Sequence, residues 1–252
     1  MTIPFFKPSA DIIKPNALMD LDDTLFQTQR KIDAWQVPTA EPEHLVCATV
    51  NKQNEPLSFM SQRQATFFNW LLNSTELIVV TARDRSEIKR VKLPFDSWQV
   101  LTHGAIILTA DGQLLSAWQQ HMHSKLAPLQ DKLNQLSELF ASHSKSEQSH
   151  LVFTPHVDSF NNGSVNEELT IYLAIKHAQK DHQALVELAK KLPTLIRDFE
   201  QDFYVHVNAN NLAILPHAVH KRHAVQFLLD NHLDHQRPSF GFGDSLEDLP
   251  FL

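Results

Sequence analysis

The chain has 252 residues, 42% of them hydrophobic and 20% charged, enough to bury a sizeable core as one large domain or two modest ones. A formal charge of −7 with no cluster of Lys and Arg excludes the basic face of a general nucleic-acid binder. Only five glycines are present, about 2% against a usual ~7%, so neither a Walker phosphate loop nor a dinucleotide fingerprint can be drawn.

Any phosphate must therefore be held by carboxylates, metal or side chains. The single cysteine, Cys47, forbids an intrachain disulfide and a cysteine zinc site, and is expected to be a small buried apolar side chain in a reducing compartment. Residues 1–10 hold two prolines and no apolar core, which does not fit a secretory signal. No apolar run approaches the ~18 residues of a membrane helix, so a soluble, cytoplasmic protein is expected.

In chain order, Asn16–Asp20 reads as a short buried strand that runs into an acidic turn, Asp20-Leu21-Asp22-Asp23-Thr24. Residues 37–56 look irregular. Ala65, Phe68, Leu71 and Leu72 have helical spacing, and Leu77-Ile78-Val79-Val80 is a buried strand ending in Thr81-Ala82-Arg83. This alternation is that of an α/β domain with a parallel sheet. A strand near 98–101 leads to His103-Gly104-Ala105 and a hairpin of 106–108 against 113–115. Next, Leu126, Leu129, Leu133, Leu136 and Phe140 predict one long helix with Pro128 in its first turn.

Strands are expected at 150–154 and 169–175, then a helix carrying Leu185, Leu188 and Leu192, then strands at 203–207 and 212–215. Helix-strand-strand thus occurs twice, as in a small α+β module inserted into the α/β chain. A helix near 219–230, the strand Phe240-Gly241-Phe242 and the turn Gly243-Asp244-Ser245-Leu246-Glu247-Asp248 complete the chain.

Three aspartates within four residues raise one another's pKa and call for compensation, typically a divalent cation. An EF-hand is excluded, because its sixth and twelfth positions would be Leu25 and Lys31. If the strands are neighbours, the two acidic turns converge at the carboxyl edge of the sheet, where ligands of open α/β sheets bind. Such an oxygen-rich site suits Mg²⁺. Thr81 offers a hydroxyl and a backbone N–H to an anion, and Lys221 a point cation. The histidine groups His121/His123 and His217/His220/His223 are expected to be solvated surface.

Asp-x-Asp-x-Thr, a strand-tip Thr, a Lys before a helix and Gly-Asp-Ser-x-x-Asp, in that order, resemble the four motifs of the haloacid dehalogenase (HAD) superfamily over nearly the whole chain. The inserted module resembles the larger cap of its sucrose-phosphate, trehalose-phosphate and mannosyl-phosphoglycerate phosphatase branch, as do Thr81-Ala82-Arg83 and His103-Gly104-Ala105. The resemblance implies a Rossmann-like parallel-sheet HAD core at 1–115 and 212–252 and an α+β cap at 116–211. It implies a phosphatase acting on a small phosphosugar-like phosphoester. Asp20 would be the nucleophile, Asp22 the acid and base, and Thr81 and Lys221 the phosphate ligands. Mg²⁺ would be held by the Asp20 carboxylate, the Asp22 carbonyl, Asp244 and Asp248. A phosphotransferase or phosphomutase, and a non-catalytic protein binding metal or phosphate, remain as alternatives. The chain departs from the pattern at Glu247 and His103, where the branch often has Asn. It also stops at Leu252, where HAD folds usually continue with a strand and a helix, so either a shortened chain or a sheet without an edge element is expected, with lowered stability in either case.

Overall fold

Four consecutive apolar or amide side chains at Asn16–Met19 (β1) are all buried, the signature of a parallel strand covered on both faces. In the computed structural model, which describes residues 13–36, 44–144 and 150–251, the chain divides into two compact units. The first is Met1–Leu101 with Val225–Leu252, and the second is Thr102–Ala224.

The first unit runs β1, β2 (Gln27–Thr28), α1 (Gln29–Trp35), β3 (Val46–Val50), β4 (Pro56–Met60), α2 (Gln62–Ser74), β5 (Glu76–Val80), α3 (Arg85–Ile88) and β6 (Gln99–Leu101), and it regains β12 (Ser239–Phe242) at the end of the chain. Its strands lie in the order β12-β1-β5-β6, all parallel. The register Met19↔Phe242 and Met19↔Val79 aligns the carboxyl ends of β12, β1 and β5. Helix α2 begins where Ser61 and Gln64 form a reciprocal capping box. Beside this sheet stands a small antiparallel one, β2-β4-β3. It corrects the expectation of irregular structure over 37–56, of which 37–43 lie outside the described residues. Register shifts between Cys47 and Thr49 and between Thr49 and Val50 break the alternation by which a strand is recognised. Cys47 is partly exposed rather than buried, and its thiol donates to the Thr49 carbonyl at 3.3 Å.

The second unit contains β7 (Ile106–Leu108), α4 (Ser116–Leu126), α5 (Gln130–Ser144), β8 (Leu151–Asn161), β9 (Asn166–His177), α6 (His182–Lys191), α7 (Phe199–Asp202), β10 (Phe203–Asn208) and β11 (Asn211–Pro216). Helix α8 (Lys221–Asn231) starts within it. The antiparallel order is β10-β11-β9-β8. One face of this sheet buries Leu173, Ile175, Leu212 and Ile214 against Leu133 and Leu136 of α5 and Leu185 of α6, each full burial contributing roughly 2 kcal/mol. The expected helix forms as α5, entered through a 3₁₀ turn at Ala127–Leu129 that holds Pro128, and α4 precedes it as a further helix that the spacing did not announce. Proline lacks an N–H and clashes with the preceding turn, so it sits at the junction. The hairpin after β7 forms as expected, with Thr109 N–H donating to Gln113 O at 2.9 Å.

Candidate active site at the strand tips

The N–H of Asp20 donates to the Phe242 carbonyl at 3.0 Å, which ties the tip of β1 to the tip of β12 and brings the two acidic turns together. Carboxylate oxygens of Asp20, Asp244 and Asp248 all lie within 4.8 Å of one another. Asp20 and Asp248 are buried and Asp244 is exposed.

The three aspartates of the first turn have separate partners. Asp22 is held by Arg83, whose Nε and Nη2 each donate at 2.7 Å. Asp23, in the left-handed region at φ 64°, pairs with Lys31. Asp20 accepts a hydrogen bond on Oδ2 from Thr24 Oγ1 at 3.2 Å and faces the acidic cluster. Arg83 and Lys31 thus pair with Asp22 and Asp23, and the oxygen cluster is built from one carboxylate of the first turn and two of the last. The Asp22 carboxylate is outside that cluster.

In the last turn the Ser245 N–H and Oγ both donate to Asp248 Oδ2, at 3.0 and 2.7 Å. Asp248 is thereby oriented, and it is fully buried. Glu247 is not among the clustered carboxylates. Gly243 is required by close approach: a Cβ there would lie 2.3 Å from Asp248 Cβ and 2.5 Å from Asp248 Cγ.

Thr81, at the tip of β5, is buried. Its N–H, expected to be available to an anion, donates instead to the Val100 carbonyl at 2.9 Å, because the parallel ladder to β6 continues through it. Its Oγ1 accepts from the Arg83 N–H at 3.2 Å. Lys221 is buried and is the first residue of α8, in the second unit. His103 is buried with its ring edge-on to Tyr172.

Of the histidine groups, His121 and His217 are exposed and His123, His220 and His223 are half-buried. His121 stacks on Trp118, His123 lies 2.8 Å from Glu167, and His217 and His220 flank Tyr204. Among the described residues, no histidine joins a metal-competent cluster.

Sequence reasoning leaves Arg83, Thr24 and Ser245 without roles. Arg83 sits in a recognisable signature, but its partner Asp22 is 61 positions away. Ser245, by contrast, precedes Asp248 by the three residues that favour a local side-chain cap.

The donor set fits Mg²⁺: three carboxylates, all oxygen, two of them buried, with no sulfur or imidazole.

A parallel α/β sheet interrupted in sequence by an antiparallel α+β unit is the haloacid dehalogenase-like fold. Solved structures share it. A sucrose-phosphatase from Synechocystis, crystallised with sucrose and phosphate, is 14% identical at a TM-score of 0.50, covering 94% of this chain and 79% of that one. A haloacid dehalogenase-like hydrolase from Bacteroides thetaiotaomicron is 12% identical at 0.50, covering 94% and 84%. A Streptococcus mutans protein is 12% identical at 0.51, covering 95% and 84%. The sequence matches no family model and no curated protein.

Proposed function

We propose that this protein is a Mg²⁺-dependent phosphomonoester hydrolase that works through an aspartyl-phosphate on Asp20, in the cytoplasm, on a small phosphosugar-like metabolite. The observation that carries this reading is the convergence of the Asp20, Asp244 and Asp248 oxygens at the carboxyl edge of the parallel sheet. Asp20, Asp244, Asp248 and the Asp22 carbonyl would hold Mg²⁺, with Glu247 outside the set. The ion, when bound, supplies positive charge to the phosphoryl oxygens and relieves the repulsion among the carboxylates.

The residues themselves do the rest. An Asp20 carboxylate oxygen attacks phosphorus as the bond to the leaving alcohol breaks, and Asp22 gives that alcohol its proton. Asp22 then takes a proton from water, whose oxygen attacks phosphorus and frees Asp20. Thr81 Oγ1 and the Lys221 ammonium hold phosphoryl oxygens, so that catalysis is chiefly positioning and charge stabilisation. Residues 116–211 serve as the cap of a core at 1–115 and 212–252. A cap closing over the site admits small substrates and excludes bulk water. The net negative charge argues against a nucleic-acid substrate.

The test is phosphate release from a panel of phosphosugars with Mg²⁺, beside Asp20→Asn. Release by the parent and its loss in the variant is the expected result. Release that persists in Asp20→Asn removes the covalent step, and no release by the parent removes the phosphatase reading.

A further inference from the structure

The approach to Lys221 is held by parts of the second unit that the proposed chemistry does not use. Tyr204 Oη donates to the Val219 carbonyl at 2.9 Å. The next carbonyl, that of His220, accepts the His223 N–H at 3.0 Å and so helps to close the first turn of α8.

Gly104 lies against this same peptide. A Cβ at Gly104 would stand 2.5 Å from His220 O, 2.7 Å from His220 C and 3.0 Å from Lys221 N. These are backbone atoms that cannot swing aside as a side chain would. Gly104, at φ +97°, ends a run of three left-handed residues that begins with Thr102 at 52° and His103 at 54°. Two non-glycine residues in that region persist only where their surroundings over-determine them. Here the Trp118 Nε1–H donates to the Gly104 carbonyl at 3.0 Å, and the His103 ring packs on Tyr172. The turn is thus anchored on one side by Trp118 and meets the peptide leading into Lys221 where only hydrogen fits.

We propose that Gly104 is a positioning residue for Lys221: its missing side chain lets the 102–104 turn rest on the His220–Lys221 peptide and sets where the ammonium is presented. The inference rests on the reading of Lys221 as a phosphate ligand, and it adds to that reading a residue that touches no substrate.

The test is a double-mutant cycle in the full chain, Gly104→Ala and Lys221→Ala singly and together, with p-nitrophenyl phosphate and Mg²⁺. Gly104→Ala is expected to lower kcat/KM by about 10- to 100-fold, the scale of a displacement of about 1 Å. In the Lys221→Ala background the same change should cost less than about threefold, because the two act as one unit. A folded Gly104→Ala at parental activity, or an equal loss in both backgrounds, overturns the proposal. If Gly104→Ala does not fold, Trp118→Phe takes its place in the cycle, since it removes the indole donor from the Gly104 carbonyl and adds nothing against His220. The acetylation rate of Lys221 by acetic anhydride, read by peptide mass spectrometry, is the arm independent of turnover. A parent without phosphatase activity defeats the proposed function, and the labelling arm then decides this inference: a changed rate in Gly104→Ala supports it and an unchanged rate overturns it.

Discussion

Arg83 grips Asp22 through both carboxylate oxygens, Nε donating to Oδ2 and Nη2 to Oδ1, each at 2.7 Å. Only 13% of the Arg83 side chain is exposed, and its guanidinium lies 5.5 Å from the centre of the Phe26 ring. Burial alone would lower the pKa of Arg83. The hydrogen bond to Asp22 and the charges of Asp22, Glu87 and Asp20 outweigh it and raise the pKa, so the fork stays charged at every working pH. The Asp84 capping box that starts α3 fixes the chain just after Arg83.

That geometry makes Arg83 the residue that aims Asp22. Arg83→Lys keeps the charge and loses the planar fork, and is expected to lower kcat by about tenfold with little change in KM. Arg83→Ala should lose more, and neither change should add much in an Asp22→Asn background. Measurement of kcat and KM across these variants decides it, and a change confined to KM would refute the aiming role.

Gly243 is predicted to be intolerant for a different reason. Its Cβ would overlap Asp248 itself, at 2.3 Å from Cβ and 2.7 Å from Oδ2, and Asp248 is locked by Ser245. Gly243→Ala should therefore cost about 1–3 kcal/mol as overpacking. It should also weaken Mg²⁺ binding, whereas Ser245→Ala, which frees Asp248 without crowding it, should weaken Mg²⁺ with a smaller loss of stability. Urea unfolding and Mg²⁺ titration of the two variants separate these effects. Equal Mg²⁺ affinity in parent and Gly243→Ala would show that Asp248 has no part in metal binding.

Three carboxylates whose oxygens lie within 4.8 Å repel one another, so a cation that binds them should stabilise the folded chain. At about 100 times its Kd, Mg²⁺ is expected to add about 2.7 kcal/mol, or roughly 5–10 °C in melting midpoint. Asp244→Asn should shrink that response, because it removes one carboxylate of the cluster. Thermal melts with EDTA and with Mg²⁺ test it. A midpoint indifferent to Mg²⁺ would end the metal reading.

The parts of this site that were legible in the sequence share a physical cause. Buried parallel strands are largely apolar runs, and Asn16–Met19 and Glu76–Val80 run directly into Asp20 and Thr81, while the half-exposed Ser239–Phe242 reaches Asp244 through Gly243. What escaped depends on distance or on broken periodicity. The β2-β4-β3 sheet escaped because bulges interrupt β3, and α4 because its buried face mixes Trp118, Gln119, Met122 and Leu126 rather than a run of aliphatic residues. The pairing of Arg83 with Asp22 spans 61 positions, and the need for glycine at position 104 comes from a peptide more than a hundred residues later. Neither partner can be read from local pattern.

The second unit should lose stability in acid before its carboxylates protonate. His121 and His223 both have pKa values lowered from the ordinary 6.5. Burial is the first cause in each, followed by Lys125 for His121. For His223, Arg222 and His121 lower it further, and a backbone hydrogen bond at His217 opposes the shift. With the folded pKa values depressed, the unfolded chain binds more protons once the pH nears about 6.5. Their contribution is therefore complete above about pH 6.5 and is lost as the pH falls through the folded values. The melting midpoint should drop between about pH 7.5 and about pH 5.5, and His121→Gln with His223→Gln should flatten that drop. Should the double variant retain the parental slope, the acid sensitivity lies in other groups. A parental midpoint unchanged across the window would mean that the two rings titrate alike in the folded and unfolded chains.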